Sequence, residues 1–311
     1  MQLNDKGLLF SHIPKTAGTS LRLSVQRHVK SWKVYSDYDA DNPTTSRIIR
    51  KFYETDDFSK ISDLNGPKTL LAGHFPIKKY LPYYPINRVI SFVRDPVQRV
   101  ISHYHDLQRR HGYSESLETF ITQRRFQNTQ SRFFKGVPVE AVGFIGICEF
   151  YDESIEIINK LFCTTIPIKK FNTNKKKKED FYVVPGEIAE LIKESNKLDC
   201  ELYDYALKIF LKRKELLISD KPFIYGKIDL RSADKIVGWA VNPDSADAVK
   251  LNLLVNDKIE NTVIANNPVQ DLIELNIANN SHVGFVFDLE NKYTGNDSIK
   301  VIVDGVGQEI D

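Results

Sequence analysis

At 311 residues, with 41% hydrophobic and 27% charged residues and a formal net charge of +2, the chain has the composition of a globular protein with room for two domains. No apolar run approaches the roughly 18 to 20 residues that span a bilayer, and Cys148, Cys163 and Cys200 are too few and too scattered for a disulfide framework or a paired-cysteine metal knuckle, so they read as buried free thiols. Charge is uneven: residues 223–311 hold 7 Lys and Arg against 14 Asp and Glu, the remainder 36 against 27, which suits an anionic ligand on the first part and argues against nucleic-acid binding by the whole.

With Met1 as the start, the few apolar residues from Gly7 to Phe10 are too short for a signal peptide, and a cytoplasmic protein is expected. An apolar run from Leu8 then breaks into Pro14, Lys15, Thr16, Ala17, Gly18, Thr19 and Ser20, and Leu21, Val25 and Val29 follow at helical spacing. This pattern predicts a strand, a compact loop and a helix whose first N–H groups face an anion, with Lys15 adding a mobile positive charge and Thr16, Thr19 and Ser20 adding hydroxyl donors. An ordinary strand-to-helix turn uses the same residue types. Lys15 precedes Gly18, whereas the loop of nucleotide triphosphatases places its Lys after the second glycine, so ATP is not the expected ligand. Residues 36–66 are polar, with a short helix expected near Arg47 to Tyr53 and no readable function.

Thr69 to Gly73 reads as a second strand, and Pro76 prevents its easy continuation, which leaves His74 at the strand end, where open α/β sheets bind ligands. A lone His is more often structural. Arg88 to Val93 reads as a third strand running into a helix with Asp95 as N-cap, Pro96 at the first position and Val97, Val100 and Ile101 on its apolar stripe. Arg94 and Ser102, two turns into that helix, could grip one phosphate, although Arg94 could instead pair with Asp95 and Ser102 could face water. His103 and His105 stand two apart on a helix and point in different directions, so no metal site is expected.

Asn128, Gln130 and Arg132 suit either recognition of acceptor hydroxyls and sulfates or structural hydrogen bonding, while Phe133 and Phe134 suit a core. Val142 to Ser154 predicts a strand and a helix capped near Asp152, and Leu198 to Leu211 a helix with Leu202, Tyr205, Ala206 and Ile209 on one face. Between them Phe171 to Asn174 leads into a basic run, Lys175 to Lys178, of the kind usually solvated. From Phe223 short apolar runs alternate with Asn, Asp, Gly and Pro turns: 224–230, 236–241, 249–255, 262–265, 283–289 and 299–303. That is the pattern of an all-β sandwich, in which Trp239 is more naturally core than a sugar-stacking platform.

Residues 12–21, His-Ile-Pro-Lys-Thr-Ala-Gly-Thr-Ser-Leu, closely resemble the 5′-phosphosulfate loop of sulfotransferases that use 3′-phosphoadenosine 5′-phosphosulfate (PAPS), especially carbohydrate sulfotransferases related to heparan sulfate 2-O- and 6-O-sulfotransferases. The Gly-His at 73–74 resembles the position of their catalytic base, and Arg-Asp-Pro-Val-Gln-Arg-Val-Ile-Ser, 94–102, their 3′-phosphate motif. Residues 127–136 resemble an amide-rich segment of the 6-O branch, and Asn172 and Thr173 the late loop that closes over PAPS. Gly226, Asp229, Gly238-Trp239-Ala240 and Gly284-Phe285 resemble a small β-sandwich module of bacterial glycan-modifying enzymes.

The resemblance spans about residues 7–215. It implies an α/β, P-loop-like three-layer sulfotransferase fold with a central parallel sheet over 1–218 and a β-sandwich accessory domain over 223–311. The implied reaction transfers a sulfuryl group from PAPS, without a metal, to a saccharide hydroxyl and leaves 3′-phosphoadenosine 5′-phosphate. His74 is the implied base and Lys15 a second catalytic residue. Lys15, Thr16, Ala17, Gly18, Thr19, Ser20, Arg94, Ser102, Asn172 and Thr173 would bind PAPS, and Asn128, Gln130 and Arg132 an acceptor that the basic charge allows to be acidic. A P-loop-type phosphotransferase and a non-catalytic glycan-binding protein with a relic nucleotide site are the alternatives.

Overall fold

A computed structural model describes residues 6–169, 171, 181–245, 247–269, 272, 282–293 and 296–311. The chain divides into two compact units: Met1–Tyr84 with Arg88–Val137 and Gly143–Lys212, and Pro85–Asn87 with Pro138–Val142 and Arg213–Asp311.

The first unit is built on five parallel strands, β1 (Leu8–Ser11), β2 (Lys33–Asp37), β3 (Thr69–Gly73), β4 (Val89–Val93) and β5 (Phe144–Ile147), in the order β2-β3-β1-β4-β5. Four of them, all but β2, are buried along their whole length, as parallel strands with helix-covered faces must be. The helices in chain order are α1 (Gly18–His28), α2 (Arg47–Thr55), α3 (Pro96–His111), α4 (Leu117–Thr122), α5 (Thr129–Phe133), α6 (Tyr151–Leu161), α7 (Gly186–Ser195) and α8 (Lys197–Ile218). The start of α3 is as its sequence predicts: the Gln98 N–H donates to Asp95 Oδ1 at 2.9 Å and Pro96 takes the first turn. Val97, Val100 and Ile101 then pack with Phe120, Ile121 and Ile192.

Sheet order is what matters for a site. Because β3 and β4 flank β1, with Ser11 opposite both Gly73 and Ser91, three carboxyl ends that are far apart in sequence lie side by side. That edge of an open parallel sheet is where ligands bind.

Several expectations need correction. Lys33–Asp37 is a strand that the sequence did not reveal, because it sits at the sheet edge with only Ser36 and Asp37 buried and carries no continuous apolar run. His74 therefore follows the third strand and Arg94 the fourth. Helix α6 begins at Tyr151 without a side-chain cap, and Asp152 lies inside its first turn. Of the four α8 positions expected on one face, Leu202 and Ala206 are buried, whereas Tyr205 and Ile209 are only half-buried; Phe210 is buried in addition. The thiols are not buried: Cys163 is exposed, and Cys148 and Cys200 are intermediate.

The second unit contains β6 (Tyr225–Arg231), β7 (Lys235–Val241), β8 (Lys250–Val255), β9 (Lys258–Ile264), β10 (Asn267–Pro268), β11 (His282–Asp288), β12 (Ile299–Val303) and β13 (Glu309–Ile310). They form two antiparallel sheets, β10-β11-β7-β6 and β13-β12-β8-β9, which enclose one core. Ile236, Phe285 and Phe287 from one sheet meet Leu251, Leu253, Val301 and Val303 from the other, the arrangement of a β-sandwich. Trp239 is 2% exposed, so its indole is interior and closed to a sugar. Among the described residues, no helix is long and apolar enough to cross a membrane.

Candidate active site

The three strand ends are stitched together by polar groups. Ser11 Oγ donates to the Phe75 carbonyl at 2.7 Å, Ser91 Oγ to the Ser11 carbonyl at 2.8 Å, and the His12 N–H to the Gly73 carbonyl at 2.8 Å. After β1 the chain tightens, with Lys15 and Ala17 at φ of 73° and 65°, a region that residues with a Cβ rarely occupy. Thr16 Oγ1 donates to the Ile13 carbonyl at 2.9 Å and closes the turn. Ser20 Oγ accepts from the Phe171 N–H at 2.9 Å. Two of the expected hydroxyl donors are thus engaged within the protein, Thr16 by the loop itself and Ser20 by Phe171. The N–H groups of residues 16 to 19 have no acceptor among the described residues, and α1 has no side-chain cap. These N–H groups stand at the positive end of α1, where an anion is favoured.

Gly18 belongs to this loop for a packing reason. A Cβ there would come within 2.0 Å of the His12 ring. His12, a residue the sequence reading quoted without giving it a role, is buried, stacks on Phe10 with centroids 5.5 Å apart, and places Nδ1 at 3.0 Å from the Tyr38 hydroxyl.

His74 stands against His12 and Tyr38, each ring centroid 4.6 Å from its own. Its N–H donates to the Asp37 carbonyl at 3.0 Å, and Gly73 lies so close to that carbonyl that a Cβ would approach it to 1.7 Å. Asp37 is in turn held by the Tyr53 hydroxyl at 2.8 Å, the Tyr80 hydroxyl at 2.7 Å and Lys79 Nζ at 2.7 Å. The unrecognised strand β2 is therefore what supports His74. Burial of the His74 ring, followed by the positive charges of Arg22 and Lys15, pushes its pKa down to about 4. His74 as a whole residue is nonetheless exposed to solvent. His12 is depressed for the same first reason, burial, with His74, Arg22 and Lys15 adding to it. Both imidazoles are neutral at pH 7. Arg22, whose guanidinium lies 5.6 Å from the Tyr38 ring centroid, is a second residue the sequence reading passed over, because nothing in its helical spacing marks it.

The Lys15 ammonium pairs with Asp106 on α3 at 3.2 Å, and Asp106 also meets Arg110 at 3.2 Å and Arg109 at 3.8 Å. Burial lowers the Lys15 pKa, with Asp106 opposing that shift. Ser102 is buried and lies four residues before Asp106, so it shares the face of α3 that Lys15 approaches. Arg94 reaches the same place from the end of β4. Its Nη1 donates to the Lys15 carbonyl at 3.4 Å, its Nε is 3.9 Å from Glu149, and its guanidinium is 5.9 Å from the Tyr182 ring centroid. Lys15 and Arg94 are thus brought together, with Ser102 on the helix face that carries the partner of Lys15.

The residues expected to touch an acceptor are tied into the structure, with Arg132 exposed and Asn128 half-buried. Gln130 is wholly buried. Asn128 Oδ1 accepts from the Asp199 N–H at 3.3 Å, and Arg132 donates to the carbonyls of Arg125 at 2.8 Å and Asn128 at 3.2 Å. These are structural bonds, the alternative that amide and guanidinium side chains always leave open. His103 packs edge-on against Phe120 and Phe126. Among the described residues no group of three or more potential metal ligands assembles. Asn172, Thr173 and Lys175 to Lys178 lie outside the described residues.

No protein-family model matches the chain, and no curated protein matches it. Among solved structures it is similar to a sulfotransferase from Alicyclobacillus acidocaldarius, at 14% identity and a TM-score of 0.35, over 70% of this chain and 97% of that one.

Proposed function

We propose that the chain is a sulfotransferase that moves the sulfuryl group of PAPS to a hydroxyl of a saccharide acceptor. The observation that carries the reading is the convergence, at the carboxyl ends of β1, β3 and β4, of His74, of Lys15 with Arg94, and of a loop whose residue 16 to 19 N–H groups have no acceptor among the described residues. The residues fit the co-substrate. The N–H groups of residues 16 to 19 and Lys15 suit the 5′-phosphosulfate, and Arg94 with Ser102 suits the 3′-phosphate. Asn172 and Thr173 are retained as further contacts.

In this reading the acceptor oxygen attacks sulfur as the bond from sulfur to the bridging phosphate oxygen breaks. His74 takes the hydroxyl proton, and the electron pair of the broken bond stays on the departing 5′-phosphate. Lys15 and the loop N–H groups stabilise the charge that grows there. An anion in the loop also offsets the Lys15 and Arg22 charges that hold the His74 pKa down, so His74 becomes a stronger base when the site is filled.

The test is incubation of the full chain with sulfur-labelled PAPS and a panel of polysaccharides, followed by mapping of the labelled hydroxyl. Label on a saccharide that depends on His74 is the expected result. No transfer to any acceptor, together with no binding of 3′-phosphoadenosine 5′-phosphate, overturns the reading. Magnesium-dependent binding of ATP in its place favours a phosphotransferase.

A further inference from the structure

Arg94 lies where regular structure runs out. The pairing of β4 with β5 ends at Val93 opposite Ile147, and α3 begins at Pro96. Its backbone N–H and carbonyl have neither a strand nor a helix to meet them, yet both are paired. The Arg94 N–H donates to Gln130 Oε1 at 2.8 Å, and Gln130 Nε2 donates to the Arg94 carbonyl at 2.9 Å. One buried amide thus acts as a missing rung of the sheet, and both its polar atoms go to a single residue.

Gln130 is itself held on all sides. Its N–H donates to Asp199 Oδ2 at 3.1 Å and the Ser131 N–H to Asp199 Oδ1 at 2.8 Å. Asp199 pairs with Arg99 at 3.9 Å, both side chains being fully buried, and Arg99 Nη2 donates to the Phe126 carbonyl at 3.0 Å. The Asn128 N–H donates to Asn196 Oδ1 at 2.8 Å. The Arg94 head group, by contrast, makes long contacts among the described residues: 3.4 Å to the Lys15 carbonyl, 3.9 Å to Glu149 and 5.9 Å to the Tyr182 ring centroid. The held peptide fixes the point and direction from which this side chain sets out.

We infer that Gln130 is a positioning residue that sets selectivity for a 3′-phosphorylated nucleotide by holding the Arg94 peptide in one orientation. The inference rests on the proposed role of Arg94. A charged fork gains from a phosphate only when its geometry is held in advance, since a misplacement of about 1 Å costs on the order of a hundredfold in comparable sites. The function that the sequence suggested for Gln130, contact with the acceptor, is thereby replaced by action through Arg94.

The experiment is calorimetric titration of the full chain with 3′-phosphoadenosine 5′-phosphate and with adenosine 5′-monophosphate. The parent should prefer the first. Gln130→Met keeps the shape and removes both bonds to Arg94; it should cut that preference about tenfold, the equivalent of one or two lost hydrogen bonds, and leave the monophosphate within about twofold. In an Arg94→Ala background the same substitution should change nothing further. Gln130→Glu retains the acceptor for the Arg94 N–H, serves if the Met variant does not fold, and should give part of the loss. Equal weakening of both nucleotides, or an undiminished effect without the Arg94 side chain, assigns Gln130 a merely structural role and overturns the inference. A parent that binds both nucleotides equally overturns the reading of Arg94, and this inference with it.

Discussion

Replacing Gly18 by Ala introduces a methyl group 2.0 Å from the Cδ2 atom of His12, whereas ordinary contacts of this type lie at 3.4–4 Å. The ring would have to retreat by roughly 1.5 Å in a close-packed interior. It has nowhere to go: Phe10 stacks on one side, His74 stands 4.6 Å away, and the Tyr38 hydroxyl holds Nδ1 at 3.0 Å. Overpacking of this kind costs about 1 to 3 kcal/mol. The strain falls on the loop whose N–H groups are proposed to hold the phosphosulfate, so nucleotide affinity should fall along with stability. The assay is urea denaturation and 3′-phosphoadenosine 5′-phosphate titration of Gly18→Ala in the parent and in a His12→Ala background, where removal of the ring gives the methyl room. The cost of Gly18→Ala should shrink by more than half in the second background. An equal cost in both would refute the argument, because the clash would then not be with His12.

His74→Ala should lower sulfuryl transfer by about 10² to 10⁴ while nucleotide binding persists, measured by labelled-sulfate transfer beside calorimetry; near-parental turnover removes His74 from the base role. His12, His74 and His103 all have folded pKa values below the ordinary histidine value, chiefly through burial, with His74 and His103 at about 4. Since the unfolded chain takes up protons below about pH 6.5 and these folded sites do not, stability should fall as pH drops from there towards 4; a flat denaturation midpoint over that window contradicts the assignment. Asp199→Ala leaves the fully buried Arg99 unpaired and strips two N–H groups of their acceptor, which should destabilise the chain by about 3 to 5 kcal/mol in chemical denaturation. A loss below about 1 kcal/mol would mean that the cluster carries little of the fold.

What the chain's local sequence determines is its elements and the chemistry it hangs on them. The apolar run before Pro14, the Asp95-Pro96 helix start and the alternation after Phe223 each encode an element through residues that are neighbours in sequence, and each is present in the fold. Lys15, His74 and Arg94 were legible as polar groups just beyond apolar strands, and the roles expected of them came from the resemblance of residues 12–21, 73–74 and 94–102. Strand β2 was not, because an edge strand needs no continuous apolar run.

What only the tertiary structure decided is which groups are free to act. Thr16 and Ser20 look like phosphate donors in sequence, but their hydroxyls are taken by Ile13 and Phe171; Gln130 looks like an acceptor contact and instead brackets Arg94. Hydrogen-bond partners 36 or 151 positions away leave no trace in local periodicity, since they follow from strand order and from where a distant segment crosses the sheet edge. The meeting of Lys15, His74 and Arg94 has the same origin. It exists because β3 and β4 both chose β1 as their neighbour.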